Sequence, residues 1–319
     1  MLALVTGANG FIGSHICELL LSKGHEVRGM VRMTSDLTWI RKLDMELVCG
    51  DVRDSGSIDK AVDRADWVFH AAATVRPKDP ADYERVNYAG AKTMAESCVR
   101  AGVKRFVFLS SAAAAGPAAG PESPKTEGEE CAPVSRYGRG KLRGERAVLE
   151  LKDRLHSVVV RYPAVYGPRD RDSLVLLRNL KRGLRPVFGG NFSVVHVEDA
   201  AQAAVLAAES DVESGSVYFI SDGGSYTYDQ MASVAERAIG ARTLRVKLPK
   251  WAVRAAGQVS EWFSREGAIF NRDKADELTQ ECWVCSPAKA QQELGFRPKF
   301  DLEQGLAETI AWYQERRWL

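Results

Sequence analysis

Tyr137 and Lys141 stand four residues apart in Tyr137-Gly138-Arg139-Gly140-Lys141, so on a helix they share one face. An ammonium beside a phenol favours the phenolate and draws its pKa down from about 10. Such a tyrosine can hand a proton to an oxygen or take one from it. That pairing alone is common on helix surfaces and needs a third group to carry meaning. Ser111, which precedes Tyr137 by 26 residues, follows directly on the apolar run Arg105–Ser110. Its hydroxyl could hold the same oxygen and stabilise charge developing there. Together the three side chains describe proton transfer at a carbonyl or alcohol.

Such chemistry needs a hydride carrier, and the first residues offer a cradle for one. Thr6-Gly7-Ala8-Asn9-Gly10-Phe11-Ile12-Gly13 follows the apolar run Leu2–Thr6 and opens a helical stretch. Glycines at this spacing allow a tight turn, backbone approach to a pyrophosphate and close packing of helix on strand. A helix starting there presents free N–H groups and a partial positive charge. Gly7, Asn9, Gly10, Phe11, Ile12 and Gly13 are therefore read as the phosphate cradle of a dinucleotide. The second strand, Glu26–Val31, bears on which one. An NAD site places Asp or Glu at its end, whereas here Val31 takes that position and Arg32 follows. A guanidinium pairs with a 2′-phosphate, with Thr34 and Ser35 as further donors, so NADP is favoured and NAD is the alternative.

The elements that must position these groups alternate along the first half. Apolar runs at Leu2–Thr6, Glu26–Val31, Glu46–Val48, Trp67–Phe69, Arg105–Ser110 and Ser157–Arg161 read as strands. Helical stretches near 11–23, 56–64, 81–101 and 136–152 separate them. The pattern predicts an α/β fold, a doubly wound parallel (Rossmann) sheet, with a smaller discontinuous C-terminal substrate domain. Residues 1–162 plus about 194–222 are assigned to the dinucleotide domain, and about 163–193 plus 223–319 to the substrate domain. Further helices are expected near 173–182, 200–208, 228–239, 250–263, 287–294 and 303–317, with a strand at Val217–Ile220. Ala112–Pro133, rich in Ala, Pro, Gly and Glu, reads as a lid or a mobile insert. Trp251, Trp262 and Phe263 are expected in the core, and His70 and His196 as structural residues.

Composition narrows the class. The chain has 319 residues, 45% apolar and 27% charged, with a formal charge of +2. That balance gives no sign of a nucleic-acid partner, no apolar run reaches a membrane span, and no leader precedes the first strand, so a cytoplasmic protein is expected. Six cysteines are too sparse for a disulfide scaffold. Cys282 and Cys285 form a C-x-x-C pair, but no second pair or local histidine completes a zinc site, and Trp283-Val284 reads as strand. Reduced strand cysteines are favoured over redox or metal chemistry, and no metal is expected.

The segments TGANGFIG, GDVRD, FHAAA, VNYAG, FLSSA, YGRGK, RYPAVYGPR and VHVEDAA, in this order, resemble the extended short-chain dehydrogenase/reductases over nearly the whole chain. That superfamily includes NAD(P)-dependent epimerases/dehydratases, dihydroflavonol reductases and 3β-hydroxysteroid dehydrogenases. The resemblance implies a catalytic set of Ser111, Tyr137, Lys141 and Asn87, with Asn87 supporting the site from its helix and Lys141 also holding the nicotinamide ribose. It implies adenine contacts from Asp51 and Val52, a cofactor floor from Ala71, Ala72 and Ala73, and a nicotinamide-side loop of Pro163, Ala164 and Val165. Two departures bear on substrate: Ala164 replaces the Asn, and Asn191–Val194 lacks the Arg, of nucleotide-sugar enzymes. Phe192 lies in that second segment. A reductase or dehydrogenase acting on an apolar carbonyl or alcohol is expected. A sugar or nucleotide-sugar epimerase/dehydratase that recycles its cofactor, and a non-catalytic dinucleotide binder, are the alternatives. Gly140 and Gly144 each weaken a helix by about 1 kcal/mol, which close packing would offset. The resemblance implies that this helix pairs with its symmetry mate in a homodimer.

Overall fold

The computed structural model describes residues 1–187, 189–263 and 270–319, with side chains of 261–263 outside the described set. Six apolar runs form the strands β1 (Leu2–Thr6), β2 (Glu26–Val31), β3 (Glu46–Cys49), β4 (Trp67–His70), β5 (Arg105–Ser111) and β6 (Ser157–Tyr162). A seventh, Ser216–Phe219, joins them in a parallel sheet ordered Ser216–Phe219, β6, β5, β4, β1, β2, β3. The winding direction reverses between β1 and β4, which opens a crevice at their C-terminal ends. Both faces are covered, so apolar residues follow one another along the strands rather than standing at alternate positions, with buried polar residues such as Arg28 and Arg161 as exceptions. Ala3 and Val5 pack towards α1 (Phe11–Ser22) and the alanine-rich helix Val197–Glu209. Leu4 between them packs with α2 (Ser55–Val62) and α3 (Ala91–Ala101) on the other side.

Two helices deliver the chemistry-bearing residues to the crevice. A short α4 (Ala112–Ala115) follows β5, and α5 (Arg136–Leu149) carries Tyr137 and Lys141. α3 is preceded without a break by a π-helical stretch, Tyr83–Gly90, whose wider i→i+5 turns are uncommon. α5 lies against this stretch so closely that a Cβ on Gly144 would sit 2.3 Å from the Asn87 carbonyl oxygen, and one on Gly140 3.1 Å from that of Tyr83. The two glycines are thus accounted for inside one chain. The homodimer rests on the family resemblance alone.

Beyond β6 the chain leaves the sheet and builds small ones. Ala164–Tyr166 pairs with Val194–His196, Leu184–Val187 with Leu244–Lys247, and Asn191–Phe192 with both Tyr226–Thr227 and Cys282–Trp283. Helix Arg272–Leu278 was not expected from the sequence. Two other expectations are corrected. Residues 112–133 are no mobile insert. Ala118 N–H donates to Cys282 O (3.0 Å), Lys125 N–H to Val284 O (2.8 Å), Ser286 N–H to Lys125 O (3.0 Å) and Ala132 N–H to Ala115 O (2.9 Å). Glu127 accepts from the Phe219 N–H at 2.8 Å. Paired backbone of this kind is a strap, and the buried, unbonded Cys282 and Cys285 belong to the strand that holds it. Trp251 is exposed rather than core, because its helix, Lys250–Phe263, buries Val253 and Gly257 instead. The side chains of Trp262 and Phe263 lie outside the described residues.

The glycine contacts make a quantitative expectation. In an open helix Gly144→Ala would gain about 1 kcal/mol. Here the added methyl must push α5 off the Asn87 backbone, and overpacking of this kind costs about 1–3 kcal/mol or more. Urea unfolding should show a net loss of stability; a variant as stable as the parent would mean that the two helices part freely.

Candidate active site

The turn after β1 takes its shape from glycine. Gly7 has φ +64°, a conformation that side chains resist, and a Cβ there would lie 3.0 Å from the backbone of Ala72. A Cβ on Gly13 would lie 2.2 Å from the Gly7 carbonyl oxygen, so the first turn of α1 rests directly on the loop. The N-cap is Gly10, which has no side chain to satisfy the first helical N–H groups. Those donors, with the positive end of the helix, face outward to an anion.

From this turn a groove of about 300 Å³ runs along the sheet edge, lined by Gly7, Asn9, Gly10, Arg32, Asp51, Val52 and Ala71–Thr74 among others. Phe11, Ile12 and Gly13 do not line it: the Phe11 ring meets His15 edge-on, and Ile12 packs on the core beneath. They can contribute backbone only. Arg32 is exposed at the groove, its N–H bonded to the Ser35 hydroxyl at 3.0 Å. Arg53 grips Asp51 in a fork, at 3.0 and 2.7 Å, and holds that carboxyl below its ordinary range. Ala72 N–H donates to Thr6 Oγ1 (3.1 Å), which also meets His70 Nδ1 (3.0 Å). His70 is therefore structural, and burial draws its imidazole down to about 3. An elongated groove, an uncapped helix start and a glycine that admits close backbone approach fit a dinucleotide.

The second cavity, about 170 Å³, meets the C-terminal ends of β5 and β6. Ser111, Tyr137, Pro163 and Ala164 all line it, together with Phe192. Val165 does not; it packs against the sheet core. Tyr137 and Ser111 lie close enough there for the serine hydroxyl to favour the phenolate. Ser111 Oγ also accepts from the Ala113 N–H at 3.1 Å, which caps α4 and fixes the hydroxyl's position. Asn87 bonds Thr74 twice, its Oδ1 accepting from the N–H at 2.8 Å and its Nδ2 donating to the carbonyl at 2.9 Å. Both ends of its amide are thus engaged with the loop that follows β4.

Lys141 is buried, donates to the Leu109 carbonyl at 2.6 Å and lies 4.2 Å from the centre of the Phe108 ring. Burial draws its ammonium from 10.5 to about 8, against the pull of the Glu145 carboxylate. The expected effect on Tyr137 is reversed: loss of water pushes the phenol above its ordinary 10 and the Glu277 carboxylate adds to this, against the Ser111 hydroxyl. The physical reason is that Lys141 is turned to Leu109, while the charge that bears on the phenol is the Glu277 carboxylate. Behind the lysine, Glu145 accepts from Ser110 Oγ and from Arg161, whose Nη2 is 2.7 Å away. All three are buried.

Charged residues that the sequence reading missed line the far wall: Arg76, Asp172, Asp273, Lys274 and Glu277. Asp273 accepts from the Arg136 N–H (2.6 Å) and Nε (2.9 Å), and Glu277 from Ser135 Oγ (2.8 Å). Ser135 is also the cap of α5, at 3.0 Å from the Gly138 N–H. Helix Arg272–Leu278 therefore bolts down the start of the helix that presents Tyr137. The i, i+4 spacing of Asp273 and Glu277 was the available signal. Two further arginines beyond β6 are also occupied, Arg169 with Ser14 and Glu18, and Arg185 with Glu236 and Asp229.

The model of the NAD dependent epimerase/dehydratase family matches residues 3–221. A ceramide reductase from Caulobacter vibrioides is 30% identical over 99% of this chain and 95% of its own. The crystal structure of gox2253 superposes with a TM-score of 0.84 at 27% identity, covering 99% of this chain and 98% of that one. A Thermus thermophilus UDP-glucose 4-epimerase in complex with NAD gives 0.80 at 26% identity, over 98% and 99%.

Lys141 supplies a linkage test. Its folded pKa of about 8 lies below the ordinary 10.5, so between those values the unfolded chain binds more protons. The lysine therefore counts against the fold below the window, and that penalty fades as pH rises through it. Lys141→Met removes the titration. The stability gap between parent and variant, read by urea unfolding at about pH 7.5 and about pH 10, should move in the parent's favour as pH rises. A gap that does not change would mean that Lys141 titrates as an ordinary lysine.

Proposed function

Because the chain belongs to the NAD dependent epimerase/dehydratase family and is an NAD(P)-dependent enzyme, we propose that it reduces an apolar carbonyl compound, or oxidises the matching alcohol, with NADP(H). The wall of the cavity carries this reading. Ala164 and Phe192, where nucleotide-sugar enzymes carry Asn and Arg, line the same cavity as Ser111 and Tyr137, with Val75, Tyr162, Tyr228 and Trp283 nearby. That side of the cavity gives no partner to a diphosphate, the two cations of the far wall, Arg76 and Lys274, are each paired with a carboxylate, and buried anions without partners are strongly disfavoured. The relative named a ceramide reductase supports a lipid-like substrate.

In the reductive direction a phenol that keeps its proton is the donor the reaction needs. Tyr137 gives its proton to the carbonyl oxygen, and Ser111, beside the phenol in the same cavity, holds that oxygen. The dinucleotide supplies the hydride when bound, with the glycine turn and Ala71–Ala73 as its seat. Lys141, one turn from Tyr137, faces β5 and keeps a positive group beneath the site as the phenol loses its proton. Arg32 and Arg53 favour the extra phosphate of NADP over the bare ribose of NAD. A sugar epimerase or dehydratase with NAD is the second reading, favoured by the charged wall of Asp273, Lys274 and Glu277, which could bond hydroxyls.

Two substitutions separate these roles. Tyr137→Phe should lower turnover by about 10²–10⁴ while leaving NADPH affinity nearly unchanged in calorimetry; a fully active variant would remove Tyr137 from the chemistry. Arg32→Ala should weaken NADPH by about tenfold or more and NADH hardly at all. If the parent protein instead binds NAD⁺ more tightly than NADP⁺, the recycling epimerase or dehydratase becomes the first reading.

A further inference from the structure

An outward apolar face lies apart from both cavities. In the pairing of Leu244–Lys247 with Leu184–Val187, Leu244 stands opposite Leu184 and Val246 opposite Pro186. Side chains alternate along a strand, so Leu244, Val246 and Leu248 share one face with Leu184, and Arg245 and Lys247 take the other. Arg245 turns inward to Asp229. The leucine face is thus the one turned to solvent, with Leu244 70% exposed. This inverts the usual rule for a half-buried strand, which puts its apolar side towards the core.

The helix that follows, Lys250–Phe263, extends the face. It buries Val253 and packs Gly257 on helix Arg272–Leu278 so closely that a Cβ there would lie 2.7 Å from Ala275 Cβ. Its opposite side carries Trp251, Ala255 and Val259 at i, i+4 and i+8, with Trp251 73% and Val259 50% exposed. Six of the eleven large apolar side chains exposed among the described residues lie on this ribbon and helix. Monomeric proteins rarely leave such clustering without a partner.

The charge around the face identifies the partner. Residues 241–259 contain Arg242, Arg245, Lys247, Lys250 and Arg254 and no acid. Asp229, Glu281 and Asp276 reach in from neighbouring elements to pair with Arg245, Lys250 and Arg254. Arg242 and Lys247 make no ion pair among the described residues. Trp and Leu on one side with Lys and Arg at the flank is the composition of a surface that lies in a membrane interface. The geometry points to a docking face for an anionic phospholipid bilayer, formed by Leu184, Leu244, Val246, Leu248, Trp251 and Val259 and flanked by Arg242 and by Lys247, which is exposed on the opposite face and whose long stem carries its ammonium round the open edge of Leu244–Lys247. The apolar side chains enter the headgroup boundary and the two cations meet lipid phosphates. Helix Arg272–Leu278, which backs the docking helix, lines the substrate cavity on its other side. An apolar substrate dissolved in the bilayer would therefore have one helix to pass. That last consequence rests on the substrate reading; the docking itself does not.

The test is flotation of the full-length protein with two kinds of vesicle, phosphatidylcholine alone and phosphatidylcholine mixed with phosphatidylglycerol. The parent should float with the anionic vesicles, less with the neutral ones, and less again as salt is raised. The double variant Leu244→Glu, Trp251→Glu should lower the floated fraction about tenfold on both kinds. Arg242→Glu with Lys247→Glu should abolish the preference for anionic vesicles. All of them should bind NADPH as the parent does, which shows that they are folded. A parent that stays with neither vesicle, or variants that float like the parent, would overturn the proposal. So would self-association in sedimentation velocity that Trp251→Glu abolishes, since a second copy would then own the face. Docking lost with turnover of a water-soluble carbonyl compound intact leaves the reductase reading standing. A failed Tyr137→Phe test likewise leaves the docking result untouched.

Discussion

The carboxylate of Glu145 lies buried between α5 and the ends of two central strands, and the geometry of the site depends on it. Arg161 of β6 meets it with two nitrogens, Ser110 of β5 donates to it, and Lys141 stands one turn away on the same helix face. Arg161 also donates to Cys131 of the strap at 3.2 Å and covers the Phe219 ring of the outermost strand. A buried ion pair is a costly way to join elements, because both charges give up water; left with one partner it destabilises by about 3–5 kcal/mol. What it provides here is register. An apolar contact would let α5 slide along β5, whereas a forked guanidinium and a hydroxyl accept one orientation of the carboxylate.

The electrostatics of the tyrosine–lysine pair follow from that placement. Lys141 is buried and Tyr137 half-buried, and the loss of water disfavours charge on either, raising the phenol and lowering the ammonium. The carboxylates on each side act in the same sense on their neighbours: Glu277 favours the protonated phenol, and Glu145 favours the protonated lysine. The resting phenol therefore keeps its proton. The glycines of α5 belong to the same arrangement, since only a helix without side chains at 140 and 144 can press close enough to Tyr83 and Asn87 to be buried at all.

Much of this was legible in the chain. The parallel sheet could be read because strands buried on both faces are continuous apolar runs, and the cofactor turn because glycine there has a backbone reason. The tyrosine, lysine and serine could be read from spacing. What escaped notice depended on distant partners. Helix Arg272–Leu278 holds mostly charged residues, so its sequence shows no apolar stripe; its burial comes from Gly257 and its purpose from Arg136 and Ser135. The two bonds of the Asn87 amide to Thr74 were hidden as well, since nothing local reveals that partner. Trp251 was assigned to the core because periodicity identifies an apolar side of a helix without saying what covers it.

The strap at 112–133 has a bearing on how the molecule is made. Its backbone partners, Cys282 and Val284, are synthesised about 160 residues after it. The central strands can pair well before that, because their partners, about 25–65 residues apart, have all been made by then. The wall beside Ser111 cannot, since the segment running on from it waits for one of the last extended stretches of the chain. Ser111 is thus among the first residues to reach its strand and among the last to have its surroundings finished, and a chain cut short before residue 282 would carry a nearly complete sheet with an unfinished cavity.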